Sequence, residues 1–161
     1  MRLDKQSILS DAQSIVGASG ATIKSTNSID LGQTGMIHGF SASAATNGRV
    51  PIKRKIGSKG QRFMGQIVKT VVGATRVDVN FVVGTGVVTA EGATKGQINA
   101  GRKLLSTVRL DGLTAGTSIP WPNIPRYLTE RYFAVEYVLT GAATDGAMTA
   151  GFVEDVPEHE I

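Results

Sequence analysis

The chain has 161 residues, of which 17 are basic and 13 acidic, and its formal net charge is +4. This length fits one domain with a real hydrophobic core, and the modest charge is below that of a dedicated nucleic-acid-binding protein. The absence of cysteine excludes disulfides, thiolate metal sites and thiol nucleophiles. Since no apolar run in the sequence approaches the roughly 18 residues needed to span a bilayer, and charges interrupt the apolar positions near the N-terminus, we expect a soluble, unprocessed protein.

Two short strands are predicted in the first part of the chain, and a long loop follows them. ATIKST at residues 21–26 and SIDL at residues 28–31 combine β-branched and apolar residues, which favours strands. Residues 33–63 lack sustained alternation and are rich in Gly, Ser, Ala and Thr until a basic run begins. They predict a long excursion from the folded domain, and long loops in compact domains are usually functional.

The excursion ends in a basic run, RVPIKRKIGSKGQRF at residues 49–63, which contains no acidic residue. Residues 1–62 as a whole hold nine basic and three acidic side chains, whereas residues 63–161 hold eight and ten. The run is therefore a candidate contact with an acidic surface. Its basic residues and the two apolar residues at its end are the contact candidates: Arg49, Lys53, Arg54, Lys55, Lys59, Arg62, Phe63 and Met64.

From residue 65 onward, apolar and polar residues alternate with a period of two in runs bounded by glycine. The alternation predicts strands at RVDVNFVV (76–83), LLSTVRL (104–110), YFAVEYVL (132–139) and AMTAGFV (147–153). Each should turn one face to a core, with Glu136 facing outward. GQIVKTVV (65–72) is apolar on both faces, which indicates an interior strand. The predicted core-facing residues are Val77, Val79, Phe81, Val83, Leu104, Val108, Leu110, Phe133, Val135, Tyr137, Leu139, Met148, Ala150 and Phe152.

Turn-forming residues separate these strands. GTG at residues 84–86 and DG at residues 111–112 and 145–146 supply residues that tolerate positive φ, and they predict hairpins. The three prolines of PWPNIP imply an extended crossover, in which Trp121 is predicted to cover one end of the core. The sequence therefore predicts a single all-β domain over residues 1–161, a jelly-roll β-sandwich of about eight to ten strands with a long loop excursion.

Side chains that could support catalysis or bind a metal are sparse. His38 and His159 lie far apart in the sequence and lack the spacing of a metal site. No Gly-x-Ser-x-Gly turn presents a nucleophile, and the carboxylates of Asp78, Glu130 and Glu136 lie where solvated strand residues are expected. IGSKGQ does not have the order of a phosphate-binding loop. We therefore predict no enzyme activity, no cofactor, no metal and no small-molecule substrate.

Two other binding functions stay open as alternatives. The basic run could neutralise several phosphates of a nucleic acid, but Phe63 is a single aromatic residue, and modules that hold single strands interleave several. A carbohydrate-binding jelly roll is the weaker alternative, because only 6% of the residues are aromatic and no loop is rich in Asp and Asn. Contact with an acidic protein surface is the interpretation we favour.

The C-terminal stretch EDVPEHEI, residues 154–161, predicts an exposed acidic tail. Its charge is complementary to that of the basic run. If the tail of one subunit contacted the basic run of the next, the contact would be heterologous and could close into a ring. The inter-subunit candidates in the tail are Glu154, Asp155, Glu158 and Glu160.

A further set of stretches carries a family resemblance. These stretches are LDKQSILSDAQSI (3–15), STNSIDLG (25–32), TERYFAVEYVLTG (129–141) and MTAGFV (148–153). In this order they resemble the small jelly-roll capsid cement, or decoration, proteins of short-tailed bacteriophages, and they cover about a quarter of the chain. Residues 33–63 are more basic than the family pattern, and the acidic tail does not match it.

The resemblance implies a jelly roll that forms a homotrimer on the outer surface of the icosahedral phage head, in a virion assembled in the host cytoplasm. There it would bridge neighbouring major capsid proteins and stabilise the shell without catalysis and without a membrane. Residues 1–16 would lie against a neighbouring subunit or the shell. The basic run and the acidic tail would supply contacts specific to this chain.

Overall fold

The computed structural model describes most of the chain as β-strands with connecting turns. The described residues are 8–30, 41–42, 61–122, 124, 127–128 and 130–154. Within these ranges there is no helix, and hence no helix long and apolar enough to cross a membrane. The strands in chain order are β1 (Ile8–Ser14), β2 (Thr22–Lys24), β3 (Ile29–Asp30), β4 (Ser41–Ala42), β5 (Gln61–Val72), β6 (Arg76–Gly84), β7 (Gly86–Val87), β8 (Ile98–Ala100), β9 (Lys103–Leu110), β10 (Tyr127–Leu128), β11 (Tyr132–Thr140) and β12 (Asp145–Glu154).

Two antiparallel sheets contain the longer strands. The first sheet has the order β1-β12-β5, and the second has the order β2-β11-β6-β9, with β3 also paired to β11. β7 and β8 form a separate antiparallel pair, whereas β4 and β10 form a short parallel pair. Ten of the described strands thus lie in antiparallel sheets. The prediction of an all-β sandwich is confirmed, and the jelly-roll connectivity stays a prediction.

The free side of β5 is covered by the segment that follows β9. The Ile67 N–H donates to the carbonyl oxygen of Thr117 (2.9 Å), and the Ile119 N–H donates to that of Gly65 (2.7 Å). β5 therefore lies between β12 and residues 113–119, as its apolar pattern predicts. Its outer face is not covered in the same way, because Val68 is an exposed hydrophobic side chain.

The core lies between the two sheets, and alternation along the strands fills it. All predicted core-facing residues are buried except Val108, which packs partly buried against the core, and Leu104, for which the prediction is wrong. Leu104 is 48% exposed. The cause is a β-bulge: Phe81 pairs with Ser106 and Val82 pairs with Leu104, so Leu105 is the extra residue and packs against the core instead.

Aromatic side chains fill one end of the sandwich, which we call the aromatic end. Their ring centroids lie 5.2 to 6.2 Å apart, mostly in edge-to-face arrangements. Trp121 is partly buried there, in agreement with its predicted position at one end of the core. The five residues of the cluster are Phe63, Phe81, Trp121, Phe133 and Phe152.

The opposite end, which we call the turn end, consists of tight turns between consecutive strands. Gly73 connects β5 to β6 with a φ of 92°, and Gly141 follows β11 with a φ of 86°. A Cβ atom on Gly73 would lie 2.3 Å from the carbonyl oxygen of Ala142. Glycine is therefore required at this close approach of the two turns.

Part of the N-terminal segment belongs to the sandwich itself. Residues 8–14 form β1 beside β12, and Leu9 and Ile15 are completely buried in the core. The expectation that residues 1–16 lie against a neighbouring subunit or the shell is therefore wrong for Leu9 and Ile15, because their apolar side chains are already buried within this chain.

Candidate interaction site at the aromatic end

The strand register of the first sheet brings three chain segments to the aromatic end. Ile8, the first residue of β1, pairs with Gly151, and Phe152 pairs with Phe63. The beginning of β1, the beginning of β5 and the end of β12 therefore lie together. Ile8 and Glu154, the first and last described residues of the chain, thus both lie at this end of the sandwich.

The second sheet brings the start of the excursion to the same end. Ile29 pairs with Phe133, which also pairs with Val83, and the Phe133 ring lies 5.9 Å from that of Phe152 in the first sheet. Asp30, where β3 ends, is thus at the aromatic end, as is Gln61, where β5 begins. The described residue before the excursion and the described residue at its end therefore lie at the same end of the sandwich.

Most of the contact candidates fall outside the described residues: Arg49, Lys53, Arg54, Lys55, Lys59, Asp155, Glu158 and Glu160. The structure does place the last basic residue of the run and the first acidic residue of the tail. Arg62 pairs with Val153, and Glu154 pairs with Gln61. The basic run and the acidic tail therefore join the sandwich on adjacent strands, at neighbouring residue pairs.

Phe63 is not available as an apolar anchor for a partner. Its side chain is 8% exposed and lies in the aromatic cluster, 5.2 Å from the rings of Phe81 and Trp121. The predicted excursion is correspondingly too long, because β5 begins at Gln61. Met64 is half-buried and lies between Phe63 and Gly65, whose positions face the core, so it faces the outer side of the first sheet.

Glu136 is buried, although the alternation of β11 predicts a solvated side chain. It does lie on the outer face of the second sheet, but only 3% of it is exposed. Its two carboxylate oxygens accept hydrogen bonds from Nε (2.9 Å) and Nη2 (2.6 Å) of Arg102. The hydrogen bond to Glu136 raises the pKa of the Arg102 guanidinium, as expected for a charge-assisted pair.

The β7–β8 hairpin, like Arg102, covers part of the outer face of the second sheet. Ile98 of β8 packs on Val82 and Ala134, and these three buried side chains form a small core of their own outside the second sheet. Lys24 Nζ also donates to the carbonyl oxygen of Ile98 (3.4 Å). The hairpin and Arg102 together explain why outward-facing residues of β11 are buried.

Two more ion pairs involve residues just before β11. Together with the Arg102–Glu136 pair they form what we call the rim of the second sheet. Arg131 donates two hydrogen bonds to Asp30 (2.8 and 2.7 Å), and its guanidinium lies 5.2 Å from the centre of the Tyr132 ring. The hydrogen bonds to Asp30 raise the pKa of Arg131. Lys103 Nζ lies 3.8 Å from Glu130.

These three pairs share one asymmetry, in which the acid is shielded and the base is exposed. The side-chain exposures of acid and base are 4% and 44% for Glu136–Arg102, 15% and 64% for Glu130–Lys103, and 17% and 55% for Asp30–Arg131. Away from this rim, Lys69–Asp145 and Arg109–Asp111 expose both partners. The rim therefore presents positive charge to solvent although its pairs are neutral in sum.

Leu104 follows two of these cations, Arg102 and Lys103, in the sequence, whereas Arg131 lies beyond β6 and β11 at the other edge of the sheet. It pairs with Val82 and is exposed because of the β-bulge described above. An exposed apolar side chain close to positive charge is a typical arrangement at a contact surface. The sequence signal is the short stretch GRKLL at residues 101–105, which alternation alone assigns to a buried strand face.

Two further observations concern metal binding and similarity to known proteins. No three His, Cys, Asp or Glu side chains among the described residues are placed to hold a metal ion. His38 and His159 lie outside those residues. In comparisons with known proteins, no family model and no curated protein matches the chain.

Proposed function

We propose that this protein is a non-catalytic capsid cement protein that binds as a homotrimer to the outside of a phage head. Its place would be on the virion surface, where it bridges neighbouring major capsid proteins. The observation that carries the proposal is that Ile8, Asp30, Gln61 and Glu154, the described residues next to the N-terminal segment, the basic excursion and the acidic tail, all lie at the aromatic end. One end of a stable sandwich can thus present all the segments predicted to make contacts.

The strand order supports the jelly-roll part of the proposal. With residues 113–119 beside β5, the first sheet has the order β1-β12-β5-(113–119), which faces β2-β11-β6-β9. Each sheet has four strand positions, since β2 and β3 both pair with β11 and share one of them. Two such sheets, in which strands distant in sequence are neighbours, are what a double Greek key produces. We infer a jelly roll from this order.

The proposed mechanism is mechanical. A trimer offers three copies of the same contact, so that after one subunit docks, the others meet their sites at a high effective concentration. The basic run would steer the trimer to an acidic capsid surface and fix its register, because charged contacts act mainly on association rate and specificity. Stiffening of the shell follows when one trimer holds several capsid proteins together.

The direct test measures oligomeric state and attachment to heads. Light scattering of the purified protein should give the mass of a trimer, and the protein should co-sediment with phage heads that lack it. A monomeric protein that does not co-sediment with heads would overturn the proposal. An oligonucleotide titration runs in parallel: binding that falls steeply between about 50 and 200 mM salt would favour the nucleic-acid alternative.

Charge reversal tests the role of the basic run. The double variant Arg54→Glu/Lys55→Glu should weaken attachment to heads by at least about tenfold, because it replaces attraction by repulsion at an acidic surface. Folding, followed by circular dichroism, should not change. The matched control, Lys95→Glu/Arg109→Glu, reverses two exposed cations elsewhere. Equal losses in both variants would show that overall charge, not the basic run, governs attachment.

A further inference from the structure

The rim of the second sheet at the aromatic end forms a preorganised contact surface. We call it the cationic patch, and it consists of Leu104 with Arg102 and Lys103, the two cations that precede it in the sequence. Two hydrogen bonds to Glu136 hold Arg102 in place, so little of its side-chain entropy is lost when a partner binds. Leu104 supplies the apolar centre that a purely electrostatic contact lacks.

The acidic tail of this chain has the matching chemistry. EDVPEHEI carries four carboxylates, and it also contains two apolar side chains, Val156 and Ile161. An acidic segment with apolar residues fits a positively charged surface around an exposed leucine. The seven residues after Glu154 can extend over about 24 Å at most, which exceeds the roughly 10 Å that separates packed sheets.

The tail and the patch belong to different sheets of one subunit, and in a homotrimer each tail also meets the patch of a neighbouring subunit. The tail continues from β12 in the first sheet, whereas the patch belongs to the second sheet, on the other side of the core. A contact whose two halves lie on different sides of the same subunit is heterologous, and it closes into a ring when the rotation allows.

We propose that the C-terminal tail of one subunit docks on the cationic patch around Leu104 of the next subunit and so closes the trimer. This inference rests on the proposed function insofar as that function requires a homotrimer. In this proposal the tail binds residues of the second sheet, whereas the sequence alone predicted the basic run as its binding partner. The basic run is then left for the capsid.

Disulfide trapping tests the contact, because the chain has no cysteine of its own. Equal amounts of Leu104→Cys and Val156→Cys are mixed and oxidised, and a covalent dimer that contains both variants is expected on a non-reducing gel. The control mixture, Val72→Cys with Val156→Cys, places an equally exposed thiol at the turn end and should give at least about tenfold less of the mixed dimer.

The double variant Leu104→Cys/Val156→Cys distinguishes a ring from a contact within one subunit. A ring gives covalent trimers under oxidising conditions, whereas an internal disulfide leaves a monomer. The monomer, or equal yields in the mixture and its control, would overturn the proposal.

Charge exchange gives an independent measurement on the reduced protein. Lys103→Glu should raise the protein concentration at which half of the subunits associate by at least about tenfold. Adding Glu158→Lys should recover most of the lost affinity. Lys95→Glu, an exposed cation in another ion pair, should change it by less than about twofold. If Lys103→Glu perturbs folding, Leu104→Asn replaces it as the test. Association that is unchanged in folded variants contradicts the proposal.

These outcomes separate the contact from the wider function. If the tail is trapped on Leu104 but the ring does not attach to heads, the inter-subunit contact stands and the cement function fails. If heads bind the protein while no trapping occurs, the cement function stands and this contact fails.

Discussion

Tyr137 connects the two sheets through a chain of hydrogen bonds that runs from the buried core to the surface. Its hydroxyl donates to Ser10 Oγ (2.9 Å), and the Ser10 hydroxyl donates to Gln13 Oε1 (2.7 Å). Gln13 Nε2 in turn donates to the carbonyl oxygen of Lys24 (2.7 Å). Because β1 and β11 belong to different sheets, this chain fixes the N-terminal strand against the second sheet. Each polar atom named has a partner, as buried polar groups require.

The ionisation of Tyr137 gives a prediction about alkaline stability. Burial raises the pKa of its hydroxyl from 10.0 to about 12, and the hydrogen bond to Ser10 offsets part of that rise. Below pH 10 both the folded and unfolded chains keep the proton. Between about pH 10 and 12 the unfolded chain loses it first, so the free energy of unfolding should fall by at most about 1.4 kcal/mol per pH unit from this residue.

Tyr137→Phe should remove this dependence and cost about 1 kcal/mol at neutral pH through the lost hydrogen bond. Urea unfolding of both proteins at several pH values from about 8 to 11 checks the prediction. Other titrating groups are common to both proteins, so only the difference between them matters. A difference that stays constant up to about pH 11 would refute the role given to Tyr137.

At the scale of elements, the Arg102–Glu136 pair holds the segment after β8 against the outer face of the second sheet. Removing one partner of a buried ion pair is costly because the other charge is left in a poorly solvated place. Arg102→Met should lower the free energy of unfolding by about 3 kcal/mol, the low end of the range for buried pairs, since the arginine is 44% exposed.

The double variant Arg102→Met/Glu136→Leu should recover most of that loss, because no unpaired charge is left. Denaturant unfolding of the two single variants and the double variant gives the coupling free energy. Arg109→Met, which breaks an exposed pair, serves as the control and should change stability by less than about 1 kcal/mol. A double variant less stable than Arg102→Met would contradict this account.

Strand faces could be predicted from the sequence, because alternation reports directly on burial along β6, β11 and β12. It failed where the backbone departs from regular pairing. The stretch Asp145-Gly146 predicts a hairpin turn but lies inside β12, at a register shift where Gly146 has a φ of 144°. Leu104 is misassigned for the same reason, since a bulge reverses the faces beyond it.

The candidate site was only partly predictable. The basic run and the acidic tail stand out by charge, but that they join adjacent strands follows from the pairing of β5 with β12. The ion pairs of the shielded acids could not be predicted from the sequence, because Asp30 and Arg131 are 101 positions apart and Arg102 and Glu136 are 34 apart. Such pairs arise from the topology of the second sheet rather than from local spacing.

At the scale of the whole molecule, two of the sheet edges, β9 and β1, are poorly suited to pairing with another chain. β9 carries a bulge and the charged residues Lys103 and Arg109, while β1 has two register irregularities and a positive φ at Ala12 (44°). These features discourage edge-to-edge association. Assembly through the segments at the aromatic end is the alternative that this architecture leaves open.

If the sandwich docks through its aromatic end, a bulky label should be tolerated at the turn end but not at the aromatic end. Single cysteines at Ala142 and at Pro120, both exposed, can each be labelled with a bulky polyethylene glycol maleimide, since the chain offers no other thiol. Ala142 lies in the turn after β11, and Pro120 follows Ile119, which pairs with the start of β5.

The label on Ala142→Cys should leave co-sedimentation with heads within about twofold of the unlabelled protein, whereas the label on Pro120→Cys should weaken it by at least about tenfold. The unlabelled variants control for the substitutions, and light scattering shows whether a label dissociates the trimer. If the Ala142 label blocked attachment of an intact trimer and the Pro120 label did not, the sandwich would dock in the opposite orientation. The steric reason is direct: a polymer at the contacting end keeps two surfaces apart, while one at the far end extends into solvent.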